Sequence, residues 1–167
     1  MPIQDTQEFI NELEKQGELK RVKTEVDPDL EIAEILRREM YSNGPAILFE
    51  NVKGHTMPVL GNAFGSMKRL EIGLEMTDFT EIGHRITDMT KMDMPSGLLN
   101  KIKKLPELSK MTASFPKSES SGLVTEFTST DASFDDLPIL KSWPNDAGRF
   151  ITLGLIATKH PETGVRN

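Results

Sequence analysis

Two kinds of side chain in this sequence could bind a metal ion, the histidines and one group of carboxylates. The three histidines are His55, His84 and His160. No two of them have the spacing of metal ligands, so we expect solvated or turn positions. Asp131, Asp135 and Asp136 could bind a hard cation, but the pattern of a calcium-binding loop is missing. We therefore predict loop and helix-capping roles for these aspartates.

A glycine-rich stretch, Gly61 to Lys68, has a faint similarity to phosphate-binding loops. It lacks the Walker spacing, and no Lys-Ser or Lys-Thr pair closes it. We interpret it as a turn into a helix, where an anion could still bind because helix N-termini attract anions. Trp143, the single tryptophan, precedes a Pro-Asn-Asp turn. We predict that it packs in an anchored turn rather than contacting a ligand.

Composition restricts the class of protein. The 167 residues include 26 acidic and 20 basic side chains, giving a net charge of −6, which opposes nonspecific nucleic-acid binding. No cysteine is present, so disulfides and thiolate metal sites are excluded. No apolar run reaches the roughly 20 residues of a membrane span, and the acidic N-terminus is unlike a signal peptide. We expect a cytoplasmic protein with no nucleic-acid partner and no membrane span.

The first half of the chain alternates between helix and strand patterns. Asp5 followed by Glu8 predicts a capped helix that ends at Gly17. Alternation from Leu19 to Val26 predicts a half-buried strand. Asp27-Pro28 predicts the start of a second helix. The remaining elements predicted before residue 110 are a buried strand at Ala46–Phe49, an extended segment at Met57–Leu60, and helices that follow Ser66, Thr77 and Gly97.

The composition and the periodicity of the sequence change after residue 111. Residues 112–122 are rich in serine and lack periodicity, which is typical of a linker. Strands are predicted at Leu123–Thr128 and Phe150–Thr158, with an irregular proline-containing segment between them. We predict a mixed α+β chain of the α/β type, with an N-terminal α/β domain over residues 1–111, the linker, and a β-rich part over residues 123–167.

Three segments together resemble one enzyme family. They are EFINELEKQGELKRVKTEVDPDLEIAEI (residues 8–35), GPAILFENVKGHTMPVLGNAFGS (44–66) and DLPILKSWPNDAGRFITLGLIATKHPETGVRN (136–167). Their order and spacing resemble those of UbiD-family decarboxylases, relatives of 3-octaprenyl-4-hydroxybenzoate carboxy-lyase. Members of that family are roughly three times longer than this chain. The resemblance implies that residues 123–167 are the incomplete start of a split β-barrel-like domain that binds prenylated FMN.

The resemblance also implies a chemistry. Family members reversibly decarboxylate aromatic or α,β-unsaturated carboxylic acids, such as a polyprenyl-4-hydroxybenzoate, and we expect a homo-oligomer. Their cofactors are prenylated FMN, Mn²⁺ or another divalent metal, and K⁺. One alternative is a segment of an anhydromevalonate phosphate decarboxylase. Another is a short non-catalytic subunit that binds a full-length decarboxylase.

Two residues correspond to functional positions of the family. Asn167 matches a metal-binding asparagine, whose amide oxygen suits a hard divalent ion. Thr152 matches a threonine near the flavin. The family's catalytic arginine, acidic pair, ligand histidine and ligand glutamate have no counterpart in these residues, so no catalytic residue is assigned. We therefore expect the chain alone to bind neither flavin nor metal and to be inactive.

Overall fold

The structure is a computed structural model that describes residues 3–90, 120–122 and 126–167. The helix predicted after Gly97, most of the predicted linker, and the first half of the Leu123–Thr128 strand lie outside these residues. The chain divides into two compact units, one formed by Met1–Gly73 with Ala132–Asn167, and the other by Leu74–Asp131. The domain limits predicted from the sequence stay a prediction.

Helix α1 (Thr6–Lys15) begins and ends where the sequence predicts. Asp5 Oδ1 accepts the Glu8 N–H at 2.8 Å, and the Glu8 carboxylate accepts the Gln4 N–H at 2.8 Å. Gly17, with a φ of 72°, turns the chain after the helix in a conformation that favours glycine. The apolar face of α1 consists of Phe9, Ile10 and Leu13, which are all buried. The capping prediction is therefore confirmed.

A three-stranded sheet forms the centre of the first unit. Its order is β1 (Leu19–Val22), β2 (Ala46–Phe49) and β3 (Val59–Gly61). Strands β1 and β2 are parallel, and helix α2 (Glu31–Tyr41) connects them. Strand β3 returns antiparallel beside β2. Every residue of β2 is buried, as the continuous apolar run predicts for a central strand covered on both faces.

Alternate residues of β2 pack into two separate clusters. Ile47 and Phe49 lie in one cluster with Ile32 of α2. Ala46 lies in the other with Leu13 of α1 and other apolar residues. Because successive side chains of a strand point to opposite faces, helix α2 covers one face of the sheet and α1 covers the other.

Helix α3 (Met67–Leu74) follows β3 and packs on the same face as α1. Ser66 Oγ accepts the Arg69 N–H at 3.2 Å, so the predicted serine cap is confirmed. Ile72 of α3 reaches the cluster that contains α1. Gly61 in β3 lies close to α2, because a Cβ there would meet the end of the Leu36 side chain.

The second unit contains helix α4 (Thr80–Thr90), which the sequence also predicts. Its start is stabilised by Asp78, which accepts hydrogen bonds from the Thr80 N–H at 2.8 Å and the Thr80 hydroxyl at 2.7 Å. The prediction that Thr77 caps this helix was therefore wrong by one residue. Among the described residues, no helix has the length and apolar character needed to cross a membrane.

Two strand predictions need correction. Strand β1 ends at Val22, and pairing resumes only as an isolated bridge between Val26 and Val52. The predicted strand Phe150–Thr158 was wrong, because only Phe150 forms a bridge and Leu153 adopts a φ of 59°. Residues 151–158 form no β-bridge, and a β-ladder needs a neighbouring strand for its backbone groups.

Candidate functional site

A segment that we call the strap, residues 138–150, lies against the start of α2. The Lys141 carbonyl accepts the Leu30 N–H at 3.0 Å, and the Lys141 N–H donates to the Pro28 carbonyl at 3.2 Å. These bonds accompany a parallel bridge between Asp29 and Lys141. These bonds fix a segment from the last third of the chain to the residues just before α2, the helix that connects β1 and β2.

Hydrogen bonds also join the two ends of the strap. The Phe150 N–H donates to the Leu140 carbonyl at 3.0 Å, and Arg149 Nη1 donates to the Ile139 carbonyl at 2.8 Å. Arg149 Nη2 lies 3.7 Å from Asp29 Oδ2, which adds an ion pair to the start of α2. The strap is therefore positioned by backbone bonds and by charge.

A pocket of about 510 Å³ lies between the strap and α2. This is within the roughly 300–1,000 Å³ of ordinary ligand pockets. Its apolar lining residues are Leu30, Ala33, Leu36, Met40, Leu140, Trp143 and Pro144. Its polar lining residues are Glu34, Arg37, Asn62, Ser142 and Thr152. A second cavity of about 500 Å³ shares Leu36, Asn62, Leu140 and Thr152 with the first.

The two charged residues in the pocket wall, Glu34 and Arg37, form an ion pair with each other. Arg37 binds Glu34 through two bonds, Nε to Oε2 at 2.6 Å and Nη2 to Oε1 at 3.0 Å, and Arg38 adds a third at 2.7 Å. Hydrogen bonds from Arg37 and then Arg38 lower the pKa of Glu34 to about 2. The Arg37 guanidinium also lies 5.5 Å from the centre of the Tyr41 ring. The rest of the lining is largely apolar, so the pocket favours a group with a large apolar surface, such as an aromatic ring system.

Thr152 lines both cavities at their junction. Its backbone is a turn after the Phe150 bridge and not the strand that the sequence predicts. Trp143 also departs from its prediction, because the residue is 63% exposed and lines the pocket instead of packing in a core. The anchored turn itself is present, since the Asp146 carboxylate accepts the Trp143 N–H at 2.9 Å.

Asn167 is held by three hydrogen bonds. Its N–H donates to the Thr158 carbonyl at 3.2 Å, its Oδ1 accepts the Thr158 N–H at 2.8 Å, and its Nδ2 donates to the Ile156 carbonyl at 3.2 Å. The turn between Thr158 and Asn167 is closed by His160, whose Nδ1 accepts the N–H groups of Glu162 and Thr163. Asn167 is therefore part of an ordered turn.

The described residues do not build a complete metal site. One lone pair of Asn167 Oδ1 accepts the Thr158 N–H, which leaves one for a cation. Residues 3–90, 120–122 and 126–167 contain no group of three or more His, Cys, Asp or Glu side chains that could hold a metal. This part of the chain could supply one neutral ligand, which is too few to hold a divalent ion by itself.

The remaining candidates have structural roles. Asp136 completes a capping box with Ser133 around a single 3₁₀ turn, Phe134–Asp136, as the capping prediction requires. His84 is exposed in α4, and His55 and His160 lie in turns. The pocket could not be predicted from the sequence because its two walls are more than a hundred residues apart. The only local signal was the apolar face of α2.

Comparison with known proteins identifies the family. A model described as the 3-octaprenyl-4-hydroxybenzoate carboxy-lyase N-terminal domain matches residues 10–87. A second, for the Rift-related domain of the same enzyme, matches residues 116–167. The chain belongs to the UbiD family of decarboxylases, and the resemblance found in the sequence is confirmed.

Similar sequences extend well beyond this chain. An uncharacterized protein of Aquifex aeolicus is 46% identical over 166 residues, which cover 98% of this chain and 34% of that protein. One of Archaeoglobus fulgidus is 41% identical over 167 residues, covering 100% of this chain and 34% of that protein. The chain therefore spans about a third of the length of the curated relatives that it matches.

Solved structures share the fold. An evolved dimeric form of the UbiD-class enzyme HmfF from Pelotomaculum thermopropionicum, in complex with prFMN, matches with a TM-score of 0.65 and 26% identity. The match covers 96% of this chain and 33% of that one. HmfF in complex with FMN matches with a TM-score of 0.60 and 25% identity, covering 96% and 32%. The mixed α+β class is thus confirmed.

Proposed function

We propose that this chain is the N-terminal part of a prenylated-FMN-dependent decarboxylase that acts on an aromatic or α,β-unsaturated carboxylic acid. The observation that carries the proposal is the ordered match of two family models to one chain, at residues 10–87 and 116–167. The prFMN bound by the HmfF relative supports a flavin cofactor. When bound, the flavin supplies the covalent chemistry, and the protein supplies binding, orientation and electrostatics.

In this proposal, the pocket beside α2 receives part of the flavin or substrate. Leu30, Met40 and Trp143 would exclude water from an aromatic ring by covering it with apolar surface. The Thr152 hydroxyl would orient the ring, because it can donate one hydrogen bond and accept others in a largely apolar pocket. The neutralised Arg37–Glu34 pair would add little net charge to this wall.

Asn167 is proposed as one ligand of a divalent metal, Mn²⁺ or another, with K⁺ nearby. Its support is the match to the family's asparagine and the hydrogen bonds that fix its amide. The Thr158 N–H orients Oδ1 while leaving a lone pair free, and the Ile156 carbonyl prevents the amide from flipping. A preoriented neutral oxygen loses little freedom when it binds a hard cation.

The proposal includes a particular substrate, a homo-oligomer and a cytoplasmic location. A polyprenyl-4-hydroxybenzoate is the substrate that the description of the family models suggests. Anhydromevalonate phosphate is the second candidate substrate. Steady-state assays of the whole protein with both acids would separate them. The short-subunit alternative has no observation in its favour.

Replacing Asn167 tests the metal assignment. In the whole protein, Asn167→Ala should weaken Mn²⁺ binding at least about tenfold and reduce retained flavin, because the cation loses an oriented oxygen. Metal content and flavin absorbance of the purified protein are the measurements. Asn145→Ala, which removes an exposed strap amide, is the matched control. Wild-type metal and flavin content in Asn167→Ala would reject the assignment.

Replacing Thr152 tests the flavin contact. Thr152→Val keeps the branched shape and removes the hydroxyl. We expect the flavin absorbance spectrum to shift and kcat to fall at least about tenfold, with an unchanged melting temperature. Thr130→Val makes the same change at an exposed position and should alter none of these. An unchanged spectrum and kcat in Thr152→Val would mean that this hydroxyl does not contact the flavin.

A further inference from the structure

The most buried charged side chain described in this chain has an unused hydrogen-bonding edge. Arg69 in α3 is 1% exposed. Its Nη1 donates to Glu18 Oε2 at 3.0 Å, but Nε and Nη2 have no partner among the described residues. Nε and Nη2 lie on the same edge of the guanidinium, and their parallel N–H bonds match the two oxygens of a carboxylate or phosphate. We call these two N–H groups the fork. Burying the fork without a hydrogen-bond partner is costly.

Two other arginines of the chain show how this edge is normally used. Arg21 binds the Glu14 carboxylate through Nε at 2.7 Å and Nη2 at 2.8 Å. Arg37 binds the Glu34 carboxylate through the same two atoms at 2.6 Å and 3.0 Å. Both of these arginines are more exposed than Arg69. The unpaired fork is therefore found at the most buried of the three positions.

The fork lies beneath the N-terminus of an eight-residue helix. Helical side chains point back towards the N-terminus, so the Arg69 guanidinium reaches the turn before α3. A Cβ on Gly65 would lie 2.9 Å from Arg69 Nη2 and would clash with Asn62 Oδ1. Gly65 is exposed, and the Asn62 amide shares the space beside Arg69 Nη2 with it. Met67 and Lys68, at the start of α3, have N–H groups without an intrahelical acceptor.

The local charge favours an anion. Glu18 is the carboxylate that pairs with both Lys68, at 3.0 Å, and Arg69, at 3.0 Å. Two cations thus share one acid, and the N-terminus of α3 adds the positive end of the helix dipole. A tetrahedral oxyanion has enough oxygens to bind the arginine fork and the first N–H groups of the helix together.

We propose that the Gly65–Arg69 turn is a binding site for a phosphate group, either inorganic phosphate or a small phosphomonoester. Arg69 Nε and Nη2 bind two oxygens of the phosphate, and the N–H groups of Met67 and Lys68 bind a third. Gly65 and the Asn62 amide oxygen move aside to admit the ligand, because both lie beside Arg69 Nη2. The site is independent of the flavin and metal roles proposed for Thr152 and Asn167.

Titration with inorganic phosphate tests this site. In ¹H–¹⁵N spectra of the chain at constant ionic strength, the Arg69 Nε–H signal and the amides of Gly65, Met67 and Lys68 should shift and saturate together. Glycerol phosphate should produce the same pattern, and acetate should need at least a tenfold higher concentration. Absence of a saturable shift at the Arg69 Nε–H would overturn the proposal. Equal shifts with acetate would also overturn it, because they would indicate a carboxylate site.

Two glycine substitutions make a matched pair for the same titration. Gly65→Ala places a methyl group beside the fork and should lower phosphate affinity at least tenfold. Gly83→Ala adds the same methyl group where, apart from neighbouring residues and the backbone of its own helix, no heavy atom lies within 4 Å, and it should leave the affinity unchanged. Unchanged phosphate affinity in folded Gly65→Ala would contradict the proposed geometry. If Gly65→Ala fails to fold, the wild-type Arg69 Nε–H titration alone decides the question.

Discussion

At the scale of single residues, the chain shows how differently sequence and structure report function. Asn167 and Thr152 were identified only through family resemblance, because an asparagine or a threonine carries no chemical signal of its own. Nothing in the sequence marked Arg69 as a candidate functional residue, because an arginine in a helix is ordinarily solvated. The side chain became notable only when the structure showed it buried with one edge unpaired.

Glu18 provides a test of electrostatics at this scale. Hydrogen bonds from Lys68 and then Arg69 hold the pKa of Glu18 below its ordinary 4.5. A lowered pKa means that the folded state favours the ionised form. Its stabilisation is therefore complete well above pH 4.5 and is lost as the pH falls through that value towards the lowered pKa.

We expect Glu18→Gln to lower the free energy of unfolding by roughly 3 kcal/mol at neutral pH, because Arg69 is left buried without a counter-charge. The variant should also lose part of the acid-dependent decrease in stability below about pH 4.5. Urea unfolding at several pH values measures both effects. Glu126→Gln, at an exposed position, is the control. A variant as stable as wild type at neutral pH would show that the Glu18 ion pairs contribute nothing.

At the scale of elements, local signals predicted helices and central strands well. The Asp5 cap, the Gly17 turn and the buried strand β2 all depend on neighbouring residues, and the structure confirms them. Helix α2 is instructive because Asp27-Pro28 predicted its start three residues too early. Asp27 instead accepts the Asp29 N–H, and Leu30 adopts a φ of 71° while its N–H binds the carbonyl of Lys141 in the strap. No local pattern could reveal that distant partner.

Because β2 is the central strand, we expect its side chains to contribute more to the free energy of unfolding than exposed side chains do. Phe49 is fully buried between the sheet and α2, whereas Phe134 is 75% exposed. We expect Phe49→Ala to lower the free energy of unfolding by about 3–5 kcal/mol, because it removes buried apolar surface and leaves a cavity. Phe134→Ala should change it by less than about 0.5 kcal/mol. Chemical denaturation measures both, and similar losses in the two variants would contradict this core assignment.

At the scale of the whole molecule, the chain spans about a third of its curated relatives and supplies one candidate metal ligand. The proposed decarboxylation would depend on a metal, a flavin and acid–base groups held around one substrate. We therefore expect the isolated chain to release no CO₂ from unsaturated acids, even with prenylated FMN, Mn²⁺ and K⁺ added. Sustained turnover by the isolated chain in a CO₂-release assay would refute this expectation.

The exposed apolar segment that begins at Phe150, the last residue of the strap, predicts association of the isolated chain. Its large apolar side chains are 52–102% exposed; they are Phe150, Ile151, Leu153, Leu155 and Ile156. Exposed apolar segments with unpaired backbone groups tend to pair with other chains. We expect self-association in light scattering, and we expect Leu155→Lys to reduce it. Thr130→Lys adds the same charge at an exposed position without removing apolar surface, so it is the control. A monomeric wild-type chain at high concentration would contradict the prediction.

The backbone bonds between the strap and the start of α2 have a consequence for the order of events during synthesis. Asp29 and Lys141 are separated by more than a hundred residues, so the ribosome delivers the second wall of the pocket long after the first. At about 5–20 residues per second, this interval lasts on the order of ten seconds. The sheet and α2 can form within it, while Leu30 and Met40 still lack the cover of the strap. The nascent chain therefore passes through a stage in which this apolar wall is open to solvent and to chaperones.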